Sequence, residues 1–232
     1  MRDGFITVAA ATPPLKVADC TFNADQTIKL MREAHERQVA LLVFPELGLT
    51  AYTCGDLFFQ PTLLAGAVNA LQKVVEASRD LDPVTVVGLP LSWGTKLYNC
   101  AAVVHRGTIL GVVPKTHLPN YQEFYELRWF TPAPVGNQIM TIAGATCMFG
   151  TDLLFTCPDV DSFSFAVEIC EDLWAPSPPS VRHAMNGATL LVNLSASDEL
   201  VGKADYKRQL VANQSARLIA AYLYAGAGPG ES

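Results

Sequence analysis

Apolar residues are distributed along this chain in two alternating rhythms. Continuous apolar runs, of the kind a strand buried on both faces requires, occupy residues 39–44 (VALLVF), 85–89 (TVVGL) and 189–194 (TLLVNL). Between them, apolar positions recur three and four residues apart, which gives a helix one buried side. Residues 23–36 read this way through Ile28, Leu30 and Met31, with Asn23 as the expected cap. A second helix opens at Pro61 and carries Leu64, Leu71, Val74 and Val75. Residues 99–105 and 108–114 flank Arg106-Gly107 and predict a hairpin. Residues 162–169 predict a strand, 205–220 a helix, and 221–225 (AYLYA) a last strand. Pro132, Pro134, Pro176, Pro178 and Pro179 are read as marks of irregular loops. Strands alternating with helices, with at least one hairpin among them, predict α/β layers rather than an all-α or all-β fold. There is no internal repeat and no low-complexity tract.

Composition narrows the function classes. Half of the 232 residues are apolar and 16% are charged, below the usual ~25%. Bulk disorder needs the opposite balance and is excluded. A net charge of −6 without a basic patch argues against nucleic-acid binding. No apolar run reaches the ~18 residues of a membrane span, and the first residues lack the apolar core of a secretion signal. A cytoplasmic protein is expected. The six cysteines, at 20, 54, 100, 147, 157 and 170, form no Cys-x-x-Cys pair. They read as reduced thiols, most of them packed as small hydrophobes. The glycines at 226, 228 and 230 follow the last strand in a loop, which reads as a domain interrupted before its end.

Three reactive residues each follow an apolar strand, the place where ligands gather in α/β proteins. Glu46 follows Val43-Phe44-Pro45, Lys115 follows Val112-Val113-Pro114, and Cys170 follows Val167-Glu168-Ile169. Singly, each has an ordinary reading: a solvated loop carboxylate, a surface lysine, a packed thiol. Together they supply a base, a cation and a nucleophile. A free thiol with a pKa of ~8.5 is mostly protonated at neutral pH, so a carboxylate in reach can take its proton and later return it to departing ammonia. An ammonium can stabilise the oxyanion, where loss of one donor typically costs ~3 kcal/mol, and it holds a buried carboxylate charged. Competing chemistry is thin. The four histidines lack metal-ligand spacing, and no Gly-x-Ser-x-Gly elbow or Walker loop is present. His117, two residues after Lys115, leaves a Cys/His hydrolase open.

The set resembles the Glu–Lys–Cys triad of the carbon–nitrogen hydrolase (nitrilase) superfamily. FPEL at 44–47, PKTHLPNYQEFYELRWF at 114–130 and EICEDLW at 168–174 carry the resemblance. The separations, 69 residues from Glu46 to Lys115 and 55 from there to Cys170, are also similar. Four stretches resemble one branch, the glutaminase domain of glutamine-dependent NAD synthetases: 46–58, 118–130, 193–208 and 221–232. Tyr125, where an aspartate is expected, and Pro229 in the glycine turn depart from that pattern.

The resemblance implies an α/β fold of the αββα sandwich type, two mixed sheets between helix layers. Residues 1–232 would form one domain, C-terminally truncated, with an ATP-dependent synthetase domain downstream. It implies glutamine as substrate, a homo-oligomer, no cofactor or metal in this domain, and ATP with Mg in the synthetase. Cys170 would attack the glutamine amide, Glu46 act as base and acid, and Lys115 stabilise the oxyanion together with the Glu171 N–H. Glu126 would assist the base or hold the substrate amine, its ordinary alternative being an ion pair with Arg128. Tyr52, Tyr121, Phe124, Trp174 and Ser197 would line the substrate pocket, core packing being the alternative for the aromatics. Lys203 is expected at its edge, as a loop or interface contact. A free-standing amidase or nitrilase is the rival reading.

Overall fold

The structure, a computed structural model, describes residues 5–228 except 159, 161 and 162, together with Glu231. Eleven described strands form two mixed sheets. The larger has the order β1 (Val8–Ala10), β2 (Leu41–Val43), β3 (Val84–Trp93), β4 (Lys96–His105), β5 (Thr108–Pro114), β7 (Ala145–Phe149), β6 (Gln138–Ile142). The smaller has the order β11 (Ala221–Ala225), β10 (Leu190–Leu194), β9 (Ser164–Ile169), β8 (Phe155–Thr156).

The apolar runs become strands with both faces covered. In β2, Leu42 faces the helices α1 (Cys20–Glu36) and α2 (Pro61–Ala77), while Leu41 and Val43 face the other sheet. The layer between the sheets is built from Leu41, Val43, Val86, Ala101, Val103 and Val113 on one side and Val167, Ile169, Val192 and Leu194 on the other. Outside the smaller sheet, Ala166, Ala188, Leu191 and Ala220 form a minor cluster. There lie α4 (Pro179–Met185) and α5 (Lys203–Leu218). The expected αββα sandwich is borne out.

Several local expectations change. The first helix starts at Cys20 and is capped by the Asp19 carboxylate, which accepts from Phe22 N at 3.0 Å. Asn23 is buried instead and holds the incoming loop, accepting from Lys16 N and donating to Lys16 O. Pro179 does not mark a loop; it opens α4, where its missing N–H costs nothing. The hairpin at Arg106-Gly107 forms as expected, both residues having positive φ, the requirement of a tight two-residue turn. The strand expected from 162 is observed from Ser164, Ser162 lying outside the described residues, as does Pro229.

Candidate active site

β2 and β5 of one sheet and β9 and β10 of the other bring their C-terminal ends to one place. Glu46, Lys115 and Cys170 stand there, 1%, 1% and 7% exposed. Such burial of two charged side chains excludes the solvated-loop reading of each.

The Lys115 ammonium donates to Glu46 Oε1 and to Glu126 Oε1, both at 2.6 Å. Asn99, on β4, donates to Glu46 Oε1 at 2.7 Å and reaches Glu126 Oε2 at 3.4 Å. Tyr52 O–H donates to Glu126 Oε1 at 2.8 Å, and the backbone N–H of Ala196, just after β10, donates to Glu46 Oε2 at 3.0 Å. Glu126 therefore belongs to the cluster, whereas Arg128 pairs with Asp56 at 2.7 Å. Two carboxylates share one ammonium away from water. Burial, reinforced by Glu46, raises the pKa of Glu126 despite the opposing pull of Lys115. Burial works against the charge on Lys115, but the two carboxylates outweigh it and hold its pKa well above the ordinary value. A buried ionic cluster is a poor source of stability, because desolvation offsets the attraction; its presence at strand ends points to chemistry.

Cys170 sits on a sharp turn between β9 and the single helical turn α3 (Glu171–Trp174), with φ +43° and ψ −97°. A non-glycine residue in this conformation is strained and must be held by its surroundings. Its backbone N–H donates to Leu194 O at 2.9 Å and to Asn193 Oδ1 at 3.2 Å. Asn193 is fixed in turn by Tyr222, which also bonds the buried carboxylate of Glu168. Asp172, 1% exposed, accepts from Ile169 N at 3.0 Å, Thr116 N at 3.1 Å and His117 N at 2.7 Å. One carboxylate thus ties the Cys170 turn to the loop after Lys115. Burial and the nearby Glu46 push the thiol well up in pKa, with Lys115 and a hydrogen bond from Ser195 opposing. His117 meets the site through its backbone N–H, and the sulfur is bonded by the Ser195 hydroxyl at 3.2 Å.

Cys170 lies at the wall of a cavity of about 210 Å³, below the ~300–1,000 Å³ of a typical ligand pocket. Tyr52, Tyr121, Phe124, Glu126, Glu171, Trp174, Ser197 and Lys203 all line it, joined by Pro119, Gln122 and Leu200. Tyr121 O–H reaches the Glu171 carboxylate at 3.0 Å. Lys203, the first residue of α5, pairs with Asp198 and stands over the rings of Phe124 and Trp174 at 5.7 and 5.5 Å. The sequence reading passed over Asn99, Asp172, Asn193 and Ser195. Asp172, Asn193 and Ser195 lie inside motifs already singled out, so their burial was the missing signal. Asn99 opens a predicted strand and carries no local mark. Among the described residues, no group of three or more His, Cys, Asp and Glu side chains is placed to hold a metal ion. No helix among them is long and apolar enough to cross a membrane.

Two mixed sheets between helix layers, with Glu46, Lys115 and Cys170 buried together at their strand ends, define the class of fold. The chain belongs to the carbon–nitrogen hydrolase family, whose model matches residues 7–227. It is 47% identical over 231 residues to a glutamine-dependent NAD(+) synthetase of Mycobacterium tuberculosis, covering 100% of this chain and 34% of that protein. The crystal structure of a glutamine-dependent NAD(+) synthetase from Cytophaga hutchinsonii superposes with a TM-score of 0.82 at 29% identity, covering 93% of this chain and 35% of that one. An amidase of the nitrilase superfamily from Nesterenkonia AN1 shares the fold, with a TM-score of 0.78 at 18% identity over 100% of this chain and 80% of that one. The chain therefore spans about a third of the length of the synthetases it matches.

Proposed function

We propose that this domain hydrolyses the side-chain amide of glutamine and supplies the ammonia to a synthetase domain on the same polypeptide. That domain would use ATP and Mg to amidate nicotinic acid adenine dinucleotide to NAD. Glu46 takes the Cys170 S–H proton, and the sulfur attacks the amide carbon. The carbonyl oxygen becomes an oxyanion facing the Lys115 ammonium and the Glu171 N–H at the start of α3. Collapse breaks the C–N bond as Glu46 returns its proton to nitrogen, so ammonia leaves and a thioester remains. Water, deprotonated by Glu46, cleaves the thioester, and glutamate departs as the sulfur recovers its proton. Glu126 keeps Lys115 charged and oriented between the two carboxylates. Glu171 and Lys203 give the cavity one group of each sign, suited to the amino and carboxylate ends of an amino acid, while Tyr52, Phe124 and Trp174 pack its methylenes.

The observation that carries this reading is the buried Glu46–Lys115–Glu126 cluster placed behind Cys170 at a cavity of amino-acid size. The synthetase relatives favour glutamine, and a homo-oligomer is the assembly this reading expects. The test is covalent. A glutamine analogue carrying a diazoketone carbon should add mass to Cys170 alone among the six cysteines, with glutamine protecting, and Cys170→Ala should take up no label. Labelling at another cysteine overturns the nucleophile. Protection by simple aliphatic amides or nitriles but not by glutamine overturns the substrate in favour of the free-standing amidase reading.

A further inference from the structure

The turn after β10 does more than close a strand. Within three residues it touches both the base and the nucleophile: Ala196 N–H donates to Glu46, and the Ser195 hydroxyl reaches the Cys170 sulfur. Ser195 is fully buried, so its single proton has few destinations. A serine hydroxyl offers one donor and two acceptor positions. The Ser197 N–H fills one acceptor position at 3.2 Å, and the Tyr224 O–H fills the other. The remaining direction is the sulfur, 3.2 Å away.

Tyr224 sits on β11, in the same sheet as β9. The line of donors therefore runs from Tyr224 through Ser195 and ends at Cys170. We propose that Ser195 is a catalytic residue, a fixed hydrogen-bond donor to the Cys170 thiolate, and that Tyr224 is the positioning residue that aims it.

The role follows from what surrounds the sulfur. Burial, Glu46 and Glu126 all disfavour a negative charge there, and Lys115 is already engaged by both carboxylates. A neutral donor favours the thiolate without adding a charge to a crowded site. Ser195 keeps its own proton throughout; the S–H proton goes to Glu46. The same donor serves twice. It favours the thiolate that attacks the amide, and it favours the thiolate expelled when water opens the thioester.

This inference rests on Cys170 being the nucleophile but not on glutamine being the substrate. Its test therefore uses none. The rate at which iodoacetamide alkylates Cys170 is followed against pH by peptide mass mapping. The titratable groups around the sulfur, Glu46, Lys115, Glu126, Tyr52, Tyr121 and Tyr224, stay intact in Ser195→Ala. In that variant the alkylation rate at neutral pH should fall about tenfold and the midpoint should rise by about one pH unit, as expected for one hydrogen bond to a charged atom. Tyr224→Phe leaves the Ser195 hydroxyl in place but unaimed, and should move the midpoint the same way by less; it also serves if Ser195→Ala fails to fold. A Ser195→Ala profile superimposed on the wild type overturns the proposal, as does a midpoint that falls in either variant. If the glutamine analogue labels Cys170 while these profiles coincide, the donor role alone is lost. If the profiles shift while the analogue fails to react, the substrate reading alone is lost.

Discussion

Lys115 brings one positive charge into the buried interior, and Glu46 and Glu126 bring two negative ones. Burial, with the repulsion of Glu46 added to it, makes Glu126 bind a proton more tightly than a lone carboxylate in water does, and Lys115 offsets this only in part. A group whose folded pKa is raised stays protonated to higher pH, so a base that depends on the cluster being ionised gains activity as pH rises through that step. Glu126→Gln removes the second charge and its repulsion while keeping an oxygen for Lys115 and Tyr52. The acid limb of kcat/KM for glutamine should then move to lower pH by about one unit, with kcat down about a hundredfold, the scale of a disturbed acid–base step. A pH–rate profile checks this; a limb that stays put or moves up removes Glu126 from the proton economy of the site. At this scale the three strand-end residues were legible, because an abrupt change from apolar strand to reactive side chain is a local signal. The Glu126–Arg128 alternative could be settled only by three-dimensional neighbours, since Arg128 is taken by Asp56 and Glu126 is turned inward. Asn99 was illegible for a related reason. A lone polar residue in an apolar stretch looks the same whether it faces solvent or a buried carboxylate.

The strands and their turns set the geometry these residues need, and Gly88 on β3 is where that dependence can be measured. A methyl group added there would lie 2.4 Å from Leu47 N, 2.6 Å from Pro45 O and 2.9 Å from the Glu46 carbonyl carbon. All three are backbone atoms of the turn that carries the base, so the strain cannot be relieved by rotating a side chain. Gly88→Ala should push that turn off the sheet. We expect a stability loss of about 1–3 kcal/mol, the usual cost of overpacking, and a fall in glutamine turnover of about a hundredfold from misplacing Glu46. Denaturant unfolding and steady-state rates measure the two; wild-type turnover in a folded variant would show that the turn tolerates displacement. The long elements were legible at this scale, because α1, α2 and the β3–β5 meander follow from apolar spacing and one tight turn. β1, β6, β7 and β8 are two to five residues long and carry too few positions for a rhythm to emerge. Asp19 was missed as a cap because the first turn of α1 places Cys20 and Ala24 inward, so the helix begins before its apolar side becomes obvious.

Across the whole molecule, the chemistry depends on two sheets meeting. Glu46 and Lys115 end strands of one sheet, Cys170 ends a strand of the other, and the apolar layer between the sheets sets their separation. The sandwich was legible in outline from buried runs alternating with helices; the pairing of distant strands into two sheets was not, since it depends on contacts far apart in sequence. The outer layer is the least closed part of the fold. Only Gln214 of α5 is buried; Leu200, which lines the cavity, is exposed, as is Tyr206, whose ring lies against that of Trp174. An ammonia-producing domain gains from a covered mouth, because ammonia released to solvent is protonated and no longer nucleophilic. If this domain feeds a synthetase on one polypeptide, the two activities separate cleanly by mutation. Cys170→Ala in that polypeptide should abolish NAD formation from glutamine, leaving formation from ammonium salts within about twofold of wild type, since the thiol takes no part in the ATP-dependent step. The measurement is NAD produced from nicotinic acid adenine dinucleotide and ATP with each nitrogen source. Glutamine-supported synthesis surviving in the variant would break the link between this site and the ammonia. Loss of both syntheses would mean that Cys170 supports the synthetase directly, which a domain that only supplies ammonia cannot do.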